Sequence, residues 1–291
     1  MSALASRLAG LRRQAGGTAP PRAAAPLQPT IPAAAPVSSP ASLRRADAAA
    51  QLRRLLDLRP QPALRPAPAA DRALPGEEIA PGLRYLEQRI PWEGGPAALP
   101  LHGIGQGEVA RGRVLAFDTE TTGLAGGTGT RAFMIGAADW RDGGLRLRQL
   151  TIATLAAEGA MLEAFAGWIG ADTVLLSYNG KSYDRPLLST RYRLARMADP
   201  LPACGHIDLL HPMRRRYRNV WPNCRLATAE RELLGVLRED DLPGAEAPAA
   251  WLHYLRGGSA AKLRRVGLHN AQDLRSLCGL LERLAAPAAA G

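Results

Sequence analysis

Two carboxylates stand two residues apart at the end of an apolar run, in the stretch VLAFDTETTG at 114–123. Because the side chains of a β-strand alternate between its two faces, Asp118 and Glu120 are expected to point the same way. Two like charges side by side at the end of a buried strand repel each other unless a divalent cation lies between them. Oxygen ligands of this kind suit Mg²⁺ or Mn²⁺. The pair therefore predicts metal-assisted nuclease chemistry on a phosphodiester, with a solvated strand end as the alternative.

Further acids and a histidine could complete such a site. Asp184 follows YNGKSY, where a strand is predicted to give way to a helix, and sites in α/β sheets collect at strand ends. His269 and Asp273 would share one face of a predicted helix, and His269 could take a proton from an attacking water. The structural alternatives are helix capping by Asp184 and a surface or core position for His269. Asp208 could be a fifth acid, or it could bind a neighbouring loop.

A second group of residues could contact nucleic acid. Asn179 and Lys181 could touch a phosphate, although Asn followed by Gly also favours a plain turn. Three consecutive arginines precede Tyr217 and Trp221, and surfaces that bind single strands combine charge with aromatic rings in this way. A solvated helix face is the alternative for the arginines. The predicted nucleic-acid contacts are Thr121, Asn179, Lys181, Arg214, Arg215 and Arg216.

The hydrophobic pattern predicts the elements that must position these residues. Apolar and alternating runs predict strands at 113–117, 132–140, 145–152, 173–178 and 206–210. Helical spacing predicts helices at 155–169, 184–197, 225–235, 247–256 and 259–285. Three strands in a meander, followed by helix, strand, helix and strand, predict an α/β fold with a mixed five-stranded sheet flanked by helices.

Composition divides the chain into three parts. Residues 1–74 are rich in Ala, Pro and Arg, and such a segment buries too little apolar surface to offset the entropy of ordering. A disordered tail is therefore predicted there, with a short helix at 42–58. Residues 75–110 are predicted to be a lead-in of short strands and turns, and residues 111–286 the main domain.

The charge and the cysteines bound the partners and the compartment. The chain has a net charge of +11, and residues 1–75 contribute +8 of it, from 11 Arg and three Asp. This balance favours polyanionic partners such as nucleic acid, although an Arg-rich genome composition would give the same pattern. Three scattered cysteines favour a reducing compartment, and no secretory or membrane-spanning segment is recognised. We therefore expect a cytoplasmic protein with no membrane partner.

A resemblance to a known family rests on five ordered motifs: DTETTGLAGGTGT, LLSYNGKSYDRPLL, HIDLLHPMRR, LATAERELLG and HNAQDLRSL. Together, over roughly 80–285, they resemble the YprB-like family of exonucleases. The order Asp-x-Glu, Asn-x₄-Asp, His-x₃-Asp is similar to that of the DEDD exonucleases, which have the RNase H-like fold. One feature departs from that pattern, because His269 stands before the last acid at the shorter gap that usually carries Tyr.

The resemblance implies an RNase H-like domain that acts as a 3′→5′ exonuclease on DNA or RNA. It also implies two divalent ions, Mg²⁺ or Mn²⁺. The implied metal ligands are Asp118, Glu120, Asp184 and Asp273. His269 would be the general base beside them.

Two other functions fit the same residues. A structure-specific endonuclease of the same fold would have a similar site, and the two differ in whether cleavage depends on a free end. A nucleic-acid-binding module without catalysis would be favoured by the loss of any of the four acids, and all four are present.

Overall fold

The computed structural model describes residues 70–92, 95–123, 129–238 and 241–286. Its strands are β1 (Glu77–Ala80), β2 (Leu83–Pro91), β3 (Ala98–Pro100), β4 (Glu108–Ala110), β5 (Val114–Thr121), β6 (Ala132–Arg141), β7 (Gly144–Ile152), β8 (Val174–Ser177) and β9 (Gly205–Asp208). Its helices are α1 (Glu158–Ala166), α2 (Asp184–Ala195), α3 (Leu210–Tyr217), α4 (Leu226–Ala229), α5 (Ala247–Leu255) and α6 (Ala261–Ala285). A π-helical turn, Glu230–Leu234, follows α4 directly.

Within these ranges, seven strands form one mixed sheet in the order β1-β2-β7-β6-β5-β8-β9. The predicted α/β class, a mixed sheet flanked by helices, is confirmed, but the predicted number of five strands is wrong. The two additional strands come from the lead-in segment, where β2 runs antiparallel to β7 from Leu83 opposite Ile152 to Pro91 opposite Gly144. This pairing satisfies backbone groups that would otherwise be exposed on an edge strand.

The sequence pattern does not predict helix α3, which follows the last strand. The apolar run at 206–210 predicts a single strand, but β9 ends at Asp208 and α3 begins at Leu210. Both parts of the run are buried, so hydrophobicity alone does not mark the boundary between them. The predicted disordered tail, with its helix at 42–58, lies outside the described residues as far as residue 69.

The core has two layers, one on each face of the sheet. Phe117 packs in a cluster with side chains of α1, α2 and α5. Ala116 packs in the other cluster with the C-terminal half of α6. Because side chains alternate along a strand, Asp118 and Glu120 continue the face of Ala116 and lie beneath α6.

A glycine lets α6 approach the sheet closely at this point. Gly136 on β6 lies opposite Asp118 in the strand register. A Cβ atom there would stand 2.1 Å from Asn270 Oδ1 and 2.7 Å from Leu274 Cδ1, and both of these side chains belong to α6. A larger residue would displace the Asn270 and Leu274 side chains, so the absence of a side chain at Gly136 lets them reach the sheet beside Asp118.

Candidate metal centre

The first two acids lie on β5, as the alternation of the strand requires. Asp118 is largely buried and accepts a hydrogen bond of 2.8 Å from Asn270 Nδ2. Glu120 is only 7% exposed, and among the described residues it accepts no hydrogen bond. A buried carboxylate without a hydrogen-bond donor is costly, and the positive charge that acts on Glu120 comes from His269.

Asp184 lies in the same region, at the start of a helix rather than on a strand. It is the first residue of α2 and is 6% exposed. Its Oδ1 atom accepts a hydrogen bond from the Thr119 hydroxyl of β5. The cap position belongs to Tyr183 rather than to Asp184, and no side chain caps the helix. The carboxylate is therefore directed at β5 and is not used as a helix cap.

Asp273 and His269 stand one turn apart on α6, as predicted. His269 Nε2 lies 3.7 Å from Asp273 Oδ2, and His269 Nδ1 lies 2.8 Å from both carboxylate oxygens of Asp241. The other oxygen of Asp273, Oδ1, accepts a hydrogen bond from Arg238 Nη2. His269 is thus held between two acids, one on its own helix and one on the preceding loop.

The electrostatics indicate that the four acids are neighbours. Burial raises the pKa of Asp118 well above its usual range, and the negative charges of Asp273, Asp184 and Glu120 raise it further. Burial also raises the pKa of Glu120 to about 8; His269 opposes this shift, whereas Asp273 and Asp184 add to it. Each acid therefore favours protonation of the others when no cation is present.

The pKa values of Asp184, Asp273 and His269 are raised as well, whereas hydrogen bonds from His269 and Arg238 lower that of Asp241 despite its burial. Burial raises the pKa of Asp184 to about 6, although the Thr119 hydrogen bond opposes it. Burial raises the pKa of Asp273, and the charges of Arg238 and His269 partly compensate. For His269, burial alone would lower the pKa, but Asp273 and Asp241 outweigh it and the pKa is raised. The four carboxyl groups therefore hold their protons to higher pH than usual, because they are buried close to one another.

The acids are close without forming a finished coordination shell. Among the residues that the structure describes, no three His, Cys, Asp or Glu side chains stand together as a group that could hold a metal ion. Three of the eight carboxylate oxygens already have donors, because Asn270 binds Asp118, Thr119 binds Asp184 and Arg238 binds Asp273. The four predicted metal ligands therefore share one region, but they do not converge on one point.

Sequence reasoning missed the side chains that hold Asp118 in place. Asn270 is fully buried, and its Oδ1 accepts a hydrogen bond of 2.8 Å from Gln149 Nε2 while its Nδ2 binds Asp118. Gln149 interrupts the buried strand β7, and Asn270 stands four residues before Leu274 on the apolar face of α6. A polar residue at a core position on each element was the signal that could have identified this pair.

Asp208 serves the neighbouring loop, which was one of the two expectations for it. Its Oδ1 accepts hydrogen bonds from the backbone N–H groups of Asn179 (2.7 Å) and Leu210 (3.1 Å). Its Oδ2 accepts one of 3.0 Å from the N–H of Lys181. Asn179 has a φ of 67°, so it forms a left-handed turn, while the Lys181 side chain is exposed. Asp208 therefore fixes the loop that leads to Asp184.

The predicted nucleic-acid contacts on α3 are exposed but not equivalent. Arg215 donates a hydrogen bond of 3.2 Å to the Ile104 carbonyl, which holds its exposed side chain against the chain. Arg216 lies over the ring of Tyr217, with 5.9 Å between the guanidinium carbon and the ring centre. The rings of Tyr217 and Trp221 stack with centres 3.9 Å apart and planes inclined by 6°. The charged and aromatic groups are thus adjacent on one surface.

Thr121 lies at the end of β5, beyond the two acids. Its hydroxyl donates a hydrogen bond of 3.0 Å to the Gly123 carbonyl, which also accepts one of 2.8 Å from the Tyr183 hydroxyl. Thr121 is buried, and its hydroxyl therefore orders the start of the glycine-rich loop.

A cleft opens beside the histidine end of the site. Its volume is about 270 Å³. Its floor includes His269 and Asp241, and Leu237 and Leu268 on its wall are 72% and 69% exposed. The group that contains His269 is therefore accessible from solvent on this side.

Comparison with known proteins places the chain in a family. The family RNase_H_2, of the RNase_H superfamily, matches residues 115–285, which is more than half of the chain. The chain therefore belongs to the RNase H superfamily, and the predicted RNase H-like fold is confirmed. This membership gives it a nuclease-type fold.

The expected resemblance to YprB is also confirmed. The chain is 38% identical over 165 residues to the "Uncharacterized protein YprB" of Bacillus subtilis (strain 168), and the match covers 56% of this chain. It spans 40% of the length of that relative. Among solved structures, the family B DNA polymerase of the archaeon Pyrobaculum calidifontis matches with a TM-score of 0.45 and 18% identity, over 60% of this chain and 27% of that chain.

None of the helices in the described part of the chain is long and apolar enough to cross a membrane.

Proposed function

We propose that the chain is a metal-dependent nuclease that hydrolyses phosphodiester bonds, and that it acts as a 3′→5′ exonuclease of the DEDD type. The observation that carries the proposal is the buried pair on β5. Glu120 lacks a hydrogen-bond donor among the described residues, and Asp118 lies beside it with its pKa raised by the surrounding acids. Perturbed carboxylates of this kind are typical of functional sites.

The donor set suits divalent cations. Asp118, Glu120, Asp184 and Asp273 offer hard oxygen ligands, which Mg²⁺ and Mn²⁺ prefer. Burial and the neighbouring acids raise the pKa of Asp118 and Glu120, and a bound cation would offset both effects by stabilising the ionised carboxylates. Arg238 binds only Oδ1 of Asp273, so Oδ2 of that carboxylate would be available to an ion. When bound, two ions would supply Lewis acidity at the scissile phosphate and activate water.

The residues of the chain would then have separate tasks. The four acids would hold the ions, and Asn270 would fix the Asp118 carboxylate through its 2.8 Å hydrogen bond. Asp241 would hold the Nδ1 side of His269 at 2.8 Å. His269 Nε2 would therefore face the centre, where it could accept the proton of the attacking water and later release it to solvent.

The test is cleavage of end-labelled DNA and RNA, each single- and double-stranded. Full-length protein is incubated with Mg²⁺, with Mn²⁺ or with EDTA, beside Asp118→Asn and the surface control Asp172→Asn. We expect mononucleotides to be released by the wild type and the control in either metal. Equal activity in EDTA, or in Asp118→Asn, would contradict the proposal.

Two outcomes would select the alternatives. Cleavage of a circular single strand would identify an endonuclease, because a circle has no end to start from. Binding without cleavage in either metal would identify a non-catalytic nucleic-acid-binding module.

We also propose where the substrate strand runs and where the protein acts. Lys181 and Asn179 lie in the loop that precedes Asp184, so they could contact a phosphate near the ions. The stacked rings of Tyr217 and Trp221, beside Arg214 and Arg216, offer a surface for bases and phosphates farther along the strand. Thr121 and Arg215 complete this proposed set of nucleic-acid contacts.

We also propose that the nuclease domain comprises residues 111–286 and that the protein works in the cytoplasm.

A further inference from the structure

One buried cation links the last acid of the centre to its histidine. Arg238 Nη2 donates a hydrogen bond to Asp273 Oδ1, and its Nη1 lies 3.0 Å from Asp241 Oδ2 and 3.1 Å from His269 Nδ1. The rest of the guanidinium faces Glu230, with Nε 2.8 Å from Oε2 and Nη2 2.5 Å from Oε1. Arg238 thus binds three carboxylates from three different segments, and its Nη1 also lies beside the nitrogen through which His269 binds Asp241.

Glu230 fixes the position of the Arg238 guanidinium. Glu230 is 0% exposed, and a carboxylate in that position is tolerated only with a charged, well-aligned partner. Its bidentate pairing with Arg238 restricts the guanidinium to one plane. Glu230 also begins the π-helical turn, and such turns occur frequently at functional sites.

The arrangement leaves the centre open rather than blocked. Arg238 binds Oδ1 of Asp273, whereas Oδ2 lies on the side of His269, 3.7 Å from Nε2. The positive charge of Arg238 is matched by Glu230, so the pair adds little net charge to the region. Arg238 and His269 both bind Asp241. Loss of the guanidinium would therefore loosen the contacts of His269 with Asp241 and with Asp273.

We propose that Arg238, fixed by Glu230, is a positioning residue of the metal centre. It orients Asp273 so that Oδ2 is available to a divalent ion, and it holds Asp241 against His269. This inference rests on the proposed function, because it assigns a task toward the ions that the four acids would bind. The residue is not a catalytic group, since it would act on the ions and the water only through Asp273 and His269.

The test is the affinity of the full-length protein for Mn²⁺, measured by isothermal titration calorimetry at fixed pH. We expect Arg238→Gln to weaken Mn²⁺ binding by about 10- to 100-fold, the usual effect of losing a group that orients a ligand. Arg238→Lys retains the charge and should recover part of the affinity. Glu230→Gln keeps the arginine but frees it to move, so it should weaken binding in the same direction.

A matched control separates positioning from general stabilisation. Arg146→Gln removes another partly buried arginine, one that pairs with Asp139 at 2.7 Å outside the centre. It should lower the melting temperature and leave the Mn²⁺ affinity unchanged. Unchanged or tighter Mn²⁺ binding in Arg238→Gln would overturn the inference, and so would an equal loss in Arg146→Gln. If Arg238→Gln does not fold, Glu230→Gln and Arg238→Lys decide in the same way.

The wild-type protein distinguishes failure of this inference from failure of the proposed function. Wild-type protein that binds no Mn²⁺ and cleaves nothing overturns both. Wild-type protein that binds and cleaves, beside an Arg238→Gln protein of equal affinity, overturns the role of Arg238 alone.

Discussion

Two aspartates on neighbouring strands of the sheet have opposite electrostatic environments. Asp118 on β5 lies among other acids, and burial together with their charges raises its pKa. Asp139 on β6 is 3% exposed, and burial would raise its pKa too, but hydrogen bonds from Arg146 and Arg141 and the charge of Arg148 leave it lowered. The fold therefore supplies Asp139 with cations, whereas no cation among the described residues pairs with Asp118.

The difference between Asp139 and Asp118 separates an aspartate that stabilises the fold through ion pairs from one that is suited to bind a ligand. The Asp139 carboxylate is bound by Arg146 at 2.7 and 3.0 Å and by Arg141 at 3.0 Å, so its charge is already matched within the chain. Asp118 has one neutral amide donor, from Asn270. An uncompensated group is destabilising unless a ligand completes it. The predictions below compare the two aspartates in decreasing order of effect.

The largest effect should come from Asp118→Asn on activity. The substitution removes a proposed metal ligand, so we expect the rate of phosphodiester cleavage to fall about a thousandfold, roughly 4 kcal/mol of transition-state stabilisation. Because burial and the neighbouring acids make an ionised carboxylate unfavourable at this position, the metal-free variant should melt no lower than the wild type. Single-turnover cleavage and thermal unfolding in EDTA measure the two effects. A variant that cleaves normally would show that Asp118 is not a metal ligand.

Asp139→Asn should have the opposite profile. It leaves Arg146 and the 6% exposed side chain of Arg148 without their counter-charge. We expect the free energy of unfolding to fall by about 3 kcal/mol, as when one partner of a buried ion pair is removed. Urea denaturation measures this loss, and the cleavage rate per folded molecule should not change. An undiminished unfolding free energy would mean that the two aspartates are less different than their surroundings indicate.

Metal binding should distinguish the two aspartates with a smaller effect. At a Mg²⁺ concentration of 100 times the dissociation constant, the wild type should gain about 2.7 kcal/mol of unfolding free energy. Asp139→Asn should gain the same amount, because its site is separate, whereas Asp118→Asn should gain much less. Chemical denaturation with and without Mg²⁺ provides the measurement. Equal gains in all three proteins would place the bound ion elsewhere.

The sequence was sufficient for the parts of this contrast that depend on local pattern. The apolar run before Asp118 predicts β5, and the spacing of Asp118 and Glu120 predicts that they share a face. The helical spacing of His269 and Asp273 predicts their common face on α6 in the same way. The structure brings these four side chains into one region, and the fold class followed from the order of strands and helices.

What the sequence did not predict depends on contacts between distant segments. Arg238 reaches Asp273 across 35 residues, and Gln149 reaches Asn270 across 121. The partners of a buried polar residue are set by how α6 packs on the sheet at Gly136, which no local pattern encodes. The sequence also does not predict that β2, in the lead-in segment, belongs to the main sheet, because its membership depends on its pairing with the distant strand β7.

The last prediction concerns pH and follows from the sign of the shifts. The pKa of Glu120 is raised from 4.5 to about 8, so between these values the folded state keeps a proton that the unfolded state has lost. The free energy of unfolding of the metal-free protein should therefore fall as the pH rises through this window, on the order of 1 kcal/mol per pH unit. Asp184, raised to about 6, adds to the fall at the lower end of the window.

The comparison with Asp139 supplies the control for this measurement. The lowered pKa of Asp139 acts only in acid below its ordinary value, so Asp139→Asn should keep the decline between pH 5 and 8. Glu120→Gln should make the decline shallower, because one of the titrating groups is gone. Mg²⁺ should reverse the decline, because ions compete with protons for the same oxygens. Unfolding in EDTA at pH 5, 6, 7 and 8 measures the slope. Stability that rises with pH would mean that Glu120 is ionised and paired in the folded state, as Asp139 is, and the contrast between the two regions would no longer hold.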